Sequence, residues 1–223
     1  MAIIHKTTMT PTKLELLTAW LPTRPWYVGT GRAPELSRTG GFRLDDPEGE
    51  VGIEFLVATD ASGPAPVSYH VPLSYRGAPL EGSGQALLGT SEHGVLGRRW
   101  IYDGTHDPVL VAQLLALLQG RAEPQAQSRS DTPDPSVGVR VAGTPVATGG
   151  VTTSVTDGSH DTLVAVHATG SAAPASLNLR VTRVLEPGAT APADTTGHVT
   201  AGWRSPDGGE HRGVFAALHH TGS

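Results

Sequence analysis

Beyond Gly120 the chain offers no convincing helix, and this constrains the fold more than any motif does. Residues 137–223 alternate Thr and Val between Gly, Pro and Asp turns. Strand candidates fall at 137–142, 151–156, 162–168, 177–185, 198–203 and 212–218, segments rich in the β-branched residues that fit a pleated surface. No fixed-period repeat relates them, so a solenoid or propeller is not expected. Residues 121–136, rich in Ala, Pro, Gln, Ser and Asp, read as a linker or long surface loop. The expected division is an α+β region over 1–120, a connector over 121–136 and a mostly antiparallel β region over 137–223.

Helix signals are confined to the first region. Thr10-Pro11 reads as an N-cap followed by proline at the first helical position, and Leu14, Leu17 and Leu21 recur at helical spacing beside Trp20 until Pro22. A helix is predicted over 11–20, after a short N-terminal strand. Asp107-Pro108 repeats the same signal before the apolar run Val109 to Leu118, which Gly120 stops. Between these helices, strands are predicted at 41–45 and 51–59 around the turn Asp46-Pro47-Glu48-Gly49-Glu50. Val51, Ile53, Phe55 and Val57 mark a buried face, with Gly52, Glu54 and Leu56 on a partly wet one. Val67, Tyr69, Val71, Leu73 and Tyr75 give the clearest period-two pattern, and Pro72 assigns that strand to an edge or bulge. A last strand is expected at 97–102, before Asp103-Gly104.

Composition removes several kinds of chemistry. Cysteine is absent, which excludes disulfides, thiolate nucleophiles and Cys-ligated zinc and fits a reducing cytoplasm. The start of the chain lacks a secretory pattern, and the longest apolar run is about half the roughly 20 residues of a membrane-spanning helix. A net charge of −5 argues against a nucleic-acid partner. Lys6 and Lys13 are the only lysines among sixteen basic residues. That arginine bias, with abundant Ala, Gly and Pro, points to a high-GC bacterial genome. It also excludes a G-x-x-x-x-G-K-[ST] phosphate loop.

Few residues remain as candidates for chemistry. Gly29-Thr30-Gly31-Arg32 lacks the spacing of a dinucleotide loop and reads as a turn. Ser91, Glu92 and His93, and Ser159-His160-Asp161, hold triad residue types, but neighbours on an extended chain point apart. The ten histidines show no metal-ligand spacing, and Asp45, Asp46, Glu48 and Glu50 read as a solvated turn in preference to a cation loop. No metal and no cofactor are expected. Trp26, Tyr27 and Trp100, with Arg24 beside them, are the candidates for binding a ligand or partner, and core packing is the competing reading.

Three segments in order carry a family resemblance. Leu21-Pro22-Thr23-Arg24-Pro25-Trp26-Tyr27, then Tyr69-His70-Val71-Pro72-Leu73, then Trp100-Ile101-Tyr102-Asp103-Gly104 with His106-Asp107-Pro108, resemble the N-terminal cap region of maltokinase across about residues 3 to 120. The resemblance implies a cystatin-like cap, a curved antiparallel sheet packed on one or two helices. The strands from Val151 and from Leu177 resemble an altered kinase nucleotide lobe, in which Arg180 stands where the family keeps a phosphate-holding lysine. Arginine is a planar fork and does not replace that compact ammonium. The sequence also carries no H-G-D-type catalytic loop and no later Asp motif for Mg²⁺, on which phosphoryl transfer depends.

The expectation is therefore a non-enzymatic, cytoplasmic accessory or regulatory protein that binds a sugar kinase or α-glucan pathway enzyme. Two alternatives stand beside it. One is a module binding maltodextrin or glycogen through Trp26, Tyr27 and Trp100. The other is half of a split sugar kinase completed by a separate lobe around Arg180.

Overall fold

The structure is a computed structural model that describes residues 8–141, 151–168 and 175–220. The first seven residues, where the N-terminal strand and the family resemblance were expected to begin, and residue 142 at the end of the first C-terminal strand candidate, lie outside the described residues. Among the described residues thirteen strands are joined by hydrogen bonds. They are β1 (Met9–Thr10), β2 (Leu36–Leu44), β3 (Gly52–Asp60), β4 (Val67–Arg76), β5 (Leu87–His93), β6 (Gly97–Asp103) and β7 (Gln125–Ala126). Six more follow: β8 (Gly138–Val141), β9 (Val151–Asp157), β10 (Asp161–Ala168), β11 (Ala175–Thr182), β12 (Gly197–Arg204) and β13 (Glu210–His220). The helices are α1 (Lys13–Trp20) and α2 (Pro108–Leu118). The fold is thus a mostly antiparallel sheet with two short helices.

Helix α1 begins two residues later than the Thr10-Pro11 signal predicts. Thr12 is the N-cap: its hydroxyl accepts from the Glu15 N–H, while the Glu15 carboxylate accepts from the Thr12 N–H at 2.7 Å. This reciprocal capping box satisfies two orphan donors, whereas a cap at Thr10 would use proline only to avoid one. Pro11 then precedes the helix, and its carbonyl accepts from the Ser91 hydroxyl of β5 at 2.7 Å. Helix α2 follows its sequence signals. Asp107 accepts from the Val109 N–H, Pro108 takes the first position, and Gly120 at φ +69° closes the end. Across that glycine the Arg121 N–H donates to the Ala116 carbonyl at 2.8 Å.

The sheet order is β1-β5-β6-β4-β3-β2-β12-β13-β11-β10-β9, with β7 beside β2 and β8 beside β12. Strand β5, for which the sequence analysis predicted no element, pairs with β6 and with β1. The pairings also close a circuit. Strand β2 meets β12 at the single pair Gly40 and Trp203, and the chain just after β11 returns to β4 through Tyr69 and Val184. Along that return the His70 N–H donates to the Arg183 carbonyl and the Leu185 N–H to the Ser68 carbonyl.

This circuit corrects two expectations. Strand β3 is buried on both faces. Val51, Ile53, Phe55 and Val57 lie in one core with α2 and the C-terminal strands, and Leu56 and Ala58 lie in a second core with Leu17, Leu21 and Trp26. The face read as partly wet is covered by α1 and the segment after it. Pro72 is not on an edge strand, because β4 has β3 on one side and two successive neighbours on the other. Tyr69 bridges to Val184, whereas Leu73 pairs with Asp103 of β6. The N–H of His70 points to that second side, so the position of Pro72, two residues on, falls in the gap between the neighbours, where no donor is needed.

Residues 121–136 form a connector pinned to the sheet. Gln125 and Ala126 pair with Arg43 and Phe42, and the Gln127 amide donates to Glu54 at 3.0 Å. Phe42 stacks on Phe55 at 4.6 Å and approaches Phe215 of β13 at 6.2 Å, in one core that includes α2, Leu179, Val181 and Leu218. The α+β and β-rich regions are therefore one folded unit.

Candidate functional site

The segment after α1 places its aromatic residues by packing. Leu21–Thr23 adds one tight turn to the helix, and the Arg24 N–H donates to the Leu21 carbonyl. The guanidinium of Arg24 then lies over the Trp20 ring at 4.7 Å and donates to the Thr23 hydroxyl. Trp26 has no exposed surface; its ring meets Trp20 edge-on at 5.8 Å and Tyr69 at 6.0 Å. Tyr27 is half-buried and donates its hydroxyl to Asp60 at 3.2 Å. Trp100 stands on β6 opposite Arg76 and Thr90. Trp26, Tyr27 and Trp100 therefore do not form one sugar-stacking platform, since Trp26 is sealed in the core. Burying a whole indole outweighs what an exposed ring would gain in an unliganded fold.

A buried ionic cluster lies under that aromatic group, and the sequence reading missed it. Arg183, fully buried, donates to Asp103 at 2.6 Å, to Thr105 at 3.0 Å and to Thr162 at 2.7 Å. Its guanidinium also sits 4.9 Å from the Trp26 ring, a cation–π contact that supports the Nη1 group, which has no hydrogen-bond partner. Burial raises the Asp103 pKa, but the Arg183 charge and its hydrogen bonds outweigh that and hold the carboxyl below its ordinary value. His70 lies beside this cluster, between Phe55 and Phe215. Burial pushes its pKa down to about 3, so the ring is neutral and Nδ1–H donates to the Thr182 carbonyl at 2.9 Å. A signal for Arg183 was present in the sequence: Leu177, Leu179 and Val181 are buried at every second position, and the next step in that register is Arg183.

A second polar cluster uses one of the two lysines. Glu54 of β3 is buried and accepts from Lys13 at 2.6 and 2.9 Å, from the Tyr75 hydroxyl at 2.5 Å and from Gln127. Burial opposes ionisation of Glu54, but the Lys13 charge prevails and keeps its pKa low. The candidate acidic turn is organised by Asp46, whose carboxylate accepts the N–H groups of Glu48, Glu50 and Val51. Among the described residues no group of three or more His, Asp or Glu is placed to hold a metal ion. Ser91 and Ser159-His160-Asp161 do not form triads. Ser91 binds Pro11; Ser159 and His160 do meet, Oγ to Nδ1 at 3.0 Å, against the expectation that neighbours point apart, but Asp161 is paired with Arg180 at 3.1 Å.

Accessible space lies elsewhere. Where β2 crosses β12, residues 39–41, 202–204 and 210–212, with Ser136, line an open groove of about 530 Å³. The crossing is close enough that a Cβ on Gly40 would stand 2.8 Å from the Trp203 Cβ. Gly41, at φ +123°, would place one 2.1 Å from the Phe55 carbonyl oxygen. Arg204 pairs with Glu210 at 3.0 Å on one wall, and Arg212 donates to the Thr200 hydroxyl and the Ser136 carbonyl.

Residues 20–107 match a family model described as the maltokinase N-terminal cap domain. The chain carries a maltokinase N-terminal cap-like domain. A search of curated proteins finds no match.

The cap-like domain runs from the last residue of α1 to the N-cap of α2, and so contains β2 to β6. Two of its final residues, Asp103 and Asp107, have carboxylates that are almost wholly buried. Asp107 accepts both arms of the Arg76 guanidinium, at 2.6 and 2.7 Å, while capping α2; Asp103 reaches out of the cap to Arg183. Arg180, the degenerate nucleotide-site candidate, projects from the opposite face of β11 to Arg183, half-exposed and paired to Asp161. No helix among the described residues is long and apolar enough to cross a membrane.

Proposed function

We propose that the protein is a non-catalytic accessory or regulatory protein of sugar-kinase or α-glucan and trehalose metabolism, acting in a bacterial cytoplasm by binding a kinase or glucan-pathway enzyme. The observation that carries this reading is the match of residues 20–107 to the maltokinase cap. The placement of Arg180 supports it. An arginine held by Asp161 on an outer sheet face is a poor grip for nucleotide phosphates, which need a compact cation converging with Mg²⁺. On this reading the cap, cystatin-like in form as the resemblance implies, presents its sheet and helices as a rigid surface that contacts another protein.

The test has two arms. Purified protein incubated with ATP, Mg²⁺ and maltose should release no ADP, and should co-elute at fixed stoichiometry with the maltokinase or trehalose synthase of the same genome. Maltose-dependent ADP release by the chain alone would overturn the non-catalytic reading, and separate elution from both enzymes the partner reading.

A further inference from the structure

Gly202 is a glycine that the fold does not require. It sits inside β12 in regular register with Arg212, while the one irregularity of that pairing lies at Val199 and Thr200. A Cβ at this position would meet only the His211 carbonyl oxygen, at 3.5 Å, which is ordinary contact. Glycine inside a strand costs about 0.5–1 kcal/mol relative to alanine, and without a bulge or a bend it marks a place where something approaches the backbone. Burial alternates along β12, so Gly202 shares the outer face with Thr200 and Arg204, opposite Arg212 and Glu210 of β13. Its missing side chain forms the floor of the groove between Arg212 and the Arg204–Glu210 pair.

We propose that this groove binds a small anionic polyol, a sugar carrying one phosphate group. Two guanidinium groups against one carboxylate leave a net positive charge on the walls, and Arg forks match phosphate oxygens in bidentate fashion. Arg212 is already oriented by Thr200 and Ser136, so little side-chain freedom is lost on binding. Glu210 can only accept hydrogen bonds, which suits sugar hydroxyls, and the Thr39 hydroxyl lines the opposite wall. A neutral oligosaccharide fits less well, because Trp203 is 4% exposed and offers no stacking face. This site needs no protein partner and stands apart from the role proposed above.

Calorimetric titration of the full chain with glucose 1-phosphate, glucose and inorganic phosphate tests it, with amide shifts read at Gly40, Gly41 and Gly202. Glucose 1-phosphate should bind below about 1 mM, phosphate about tenfold more weakly, and glucose not at all. Gly202→Val should weaken binding at least about tenfold with no fall in melting temperature, and Arg204→Gln should weaken it similarly. Absent binding, shifts confined to other residues, or unchanged affinity in Gly202→Val overturns the site. Phosphate binding as tightly as glucose 1-phosphate overturns the polyol and leaves an anion site. Should Gly202→Val melt early, Arg204→Gln decides: unchanged affinity there also overturns the proposal.

Discussion

Replacing Asp103 by alanine leaves the Arg183 guanidinium buried and uncompensated, which costs about 3–5 kcal/mol. Urea unfolding should show a large fall in midpoint, and Asp103→Asn should lose less, since the amide oxygen still accepts. The same region controls the acid limb of stability. Asp103 is depressed in the folded state, so its contribution is present above the ordinary carboxylate range and fades as pH falls towards the folded value. His70 acts in the same direction. The unfolded chain protonates it near pH 6.5 and the folded chain only at about 3, so stability declines between those values, by up to ~1.4 kcal/mol per pH unit. His70→Phe should therefore flatten the stability profile from about pH 6 to 4 by roughly one proton, whatever its effect on the plateau. A slope unchanged by the substitution would show that another group takes up that proton.

Elements were legible wherever local chemistry decides them. Asp107-Pro108 and Gly120 bound α2, and the Asp46 turn separates β2 from β3, because caps and turns are settled by residues a few positions apart. Partners distant in the chain were not legible. Arg183 and Asp103 are 80 positions apart, and nothing at Glu54 announces that Lys13 and Gln127 converge on it. The dry second face of β3 was missed for the same reason: alternation reports one buried face and cannot report what covers the other. Of the candidate site residues, Trp26 lies sealed in the core and Arg24 packs over Trp20, while the glycines lining the groove gave no signal by composition alone. At this scale Thr12→Ala should cost about 1 kcal/mol through loss of the α1 cap, read by thermal unfolding. Gly41→Ala should be far worse, since its Cβ would overlap the Phe55 carbonyl; failure to recover folded protein is the expected outcome.

At the scale of the molecule, the two halves stand or fall together. The inner face of β2 and β3, with Phe42, Phe55 and Val57, and the apolar face of α2 are covered by β12, β13 and β11. A fragment ending at residue 136 would expose that face, so it should lack near-ultraviolet circular dichroism and dispersed amide resonances. A fragment that melts cooperatively would show that the cap-like domain folds by itself.

A ring with a junction of one residue pair has a weak link whose position is known in advance. Between β2 and β12 only Gly40 and Trp203 are in register, while β12 and β13 run together for most of their length. Thermal breathing should therefore begin at that junction. Deuterium should reach the amides around Gly40 and Gly202 well before those of β3 and β4, and a bound ligand in the groove should slow that uptake by fastening the clasp from outside.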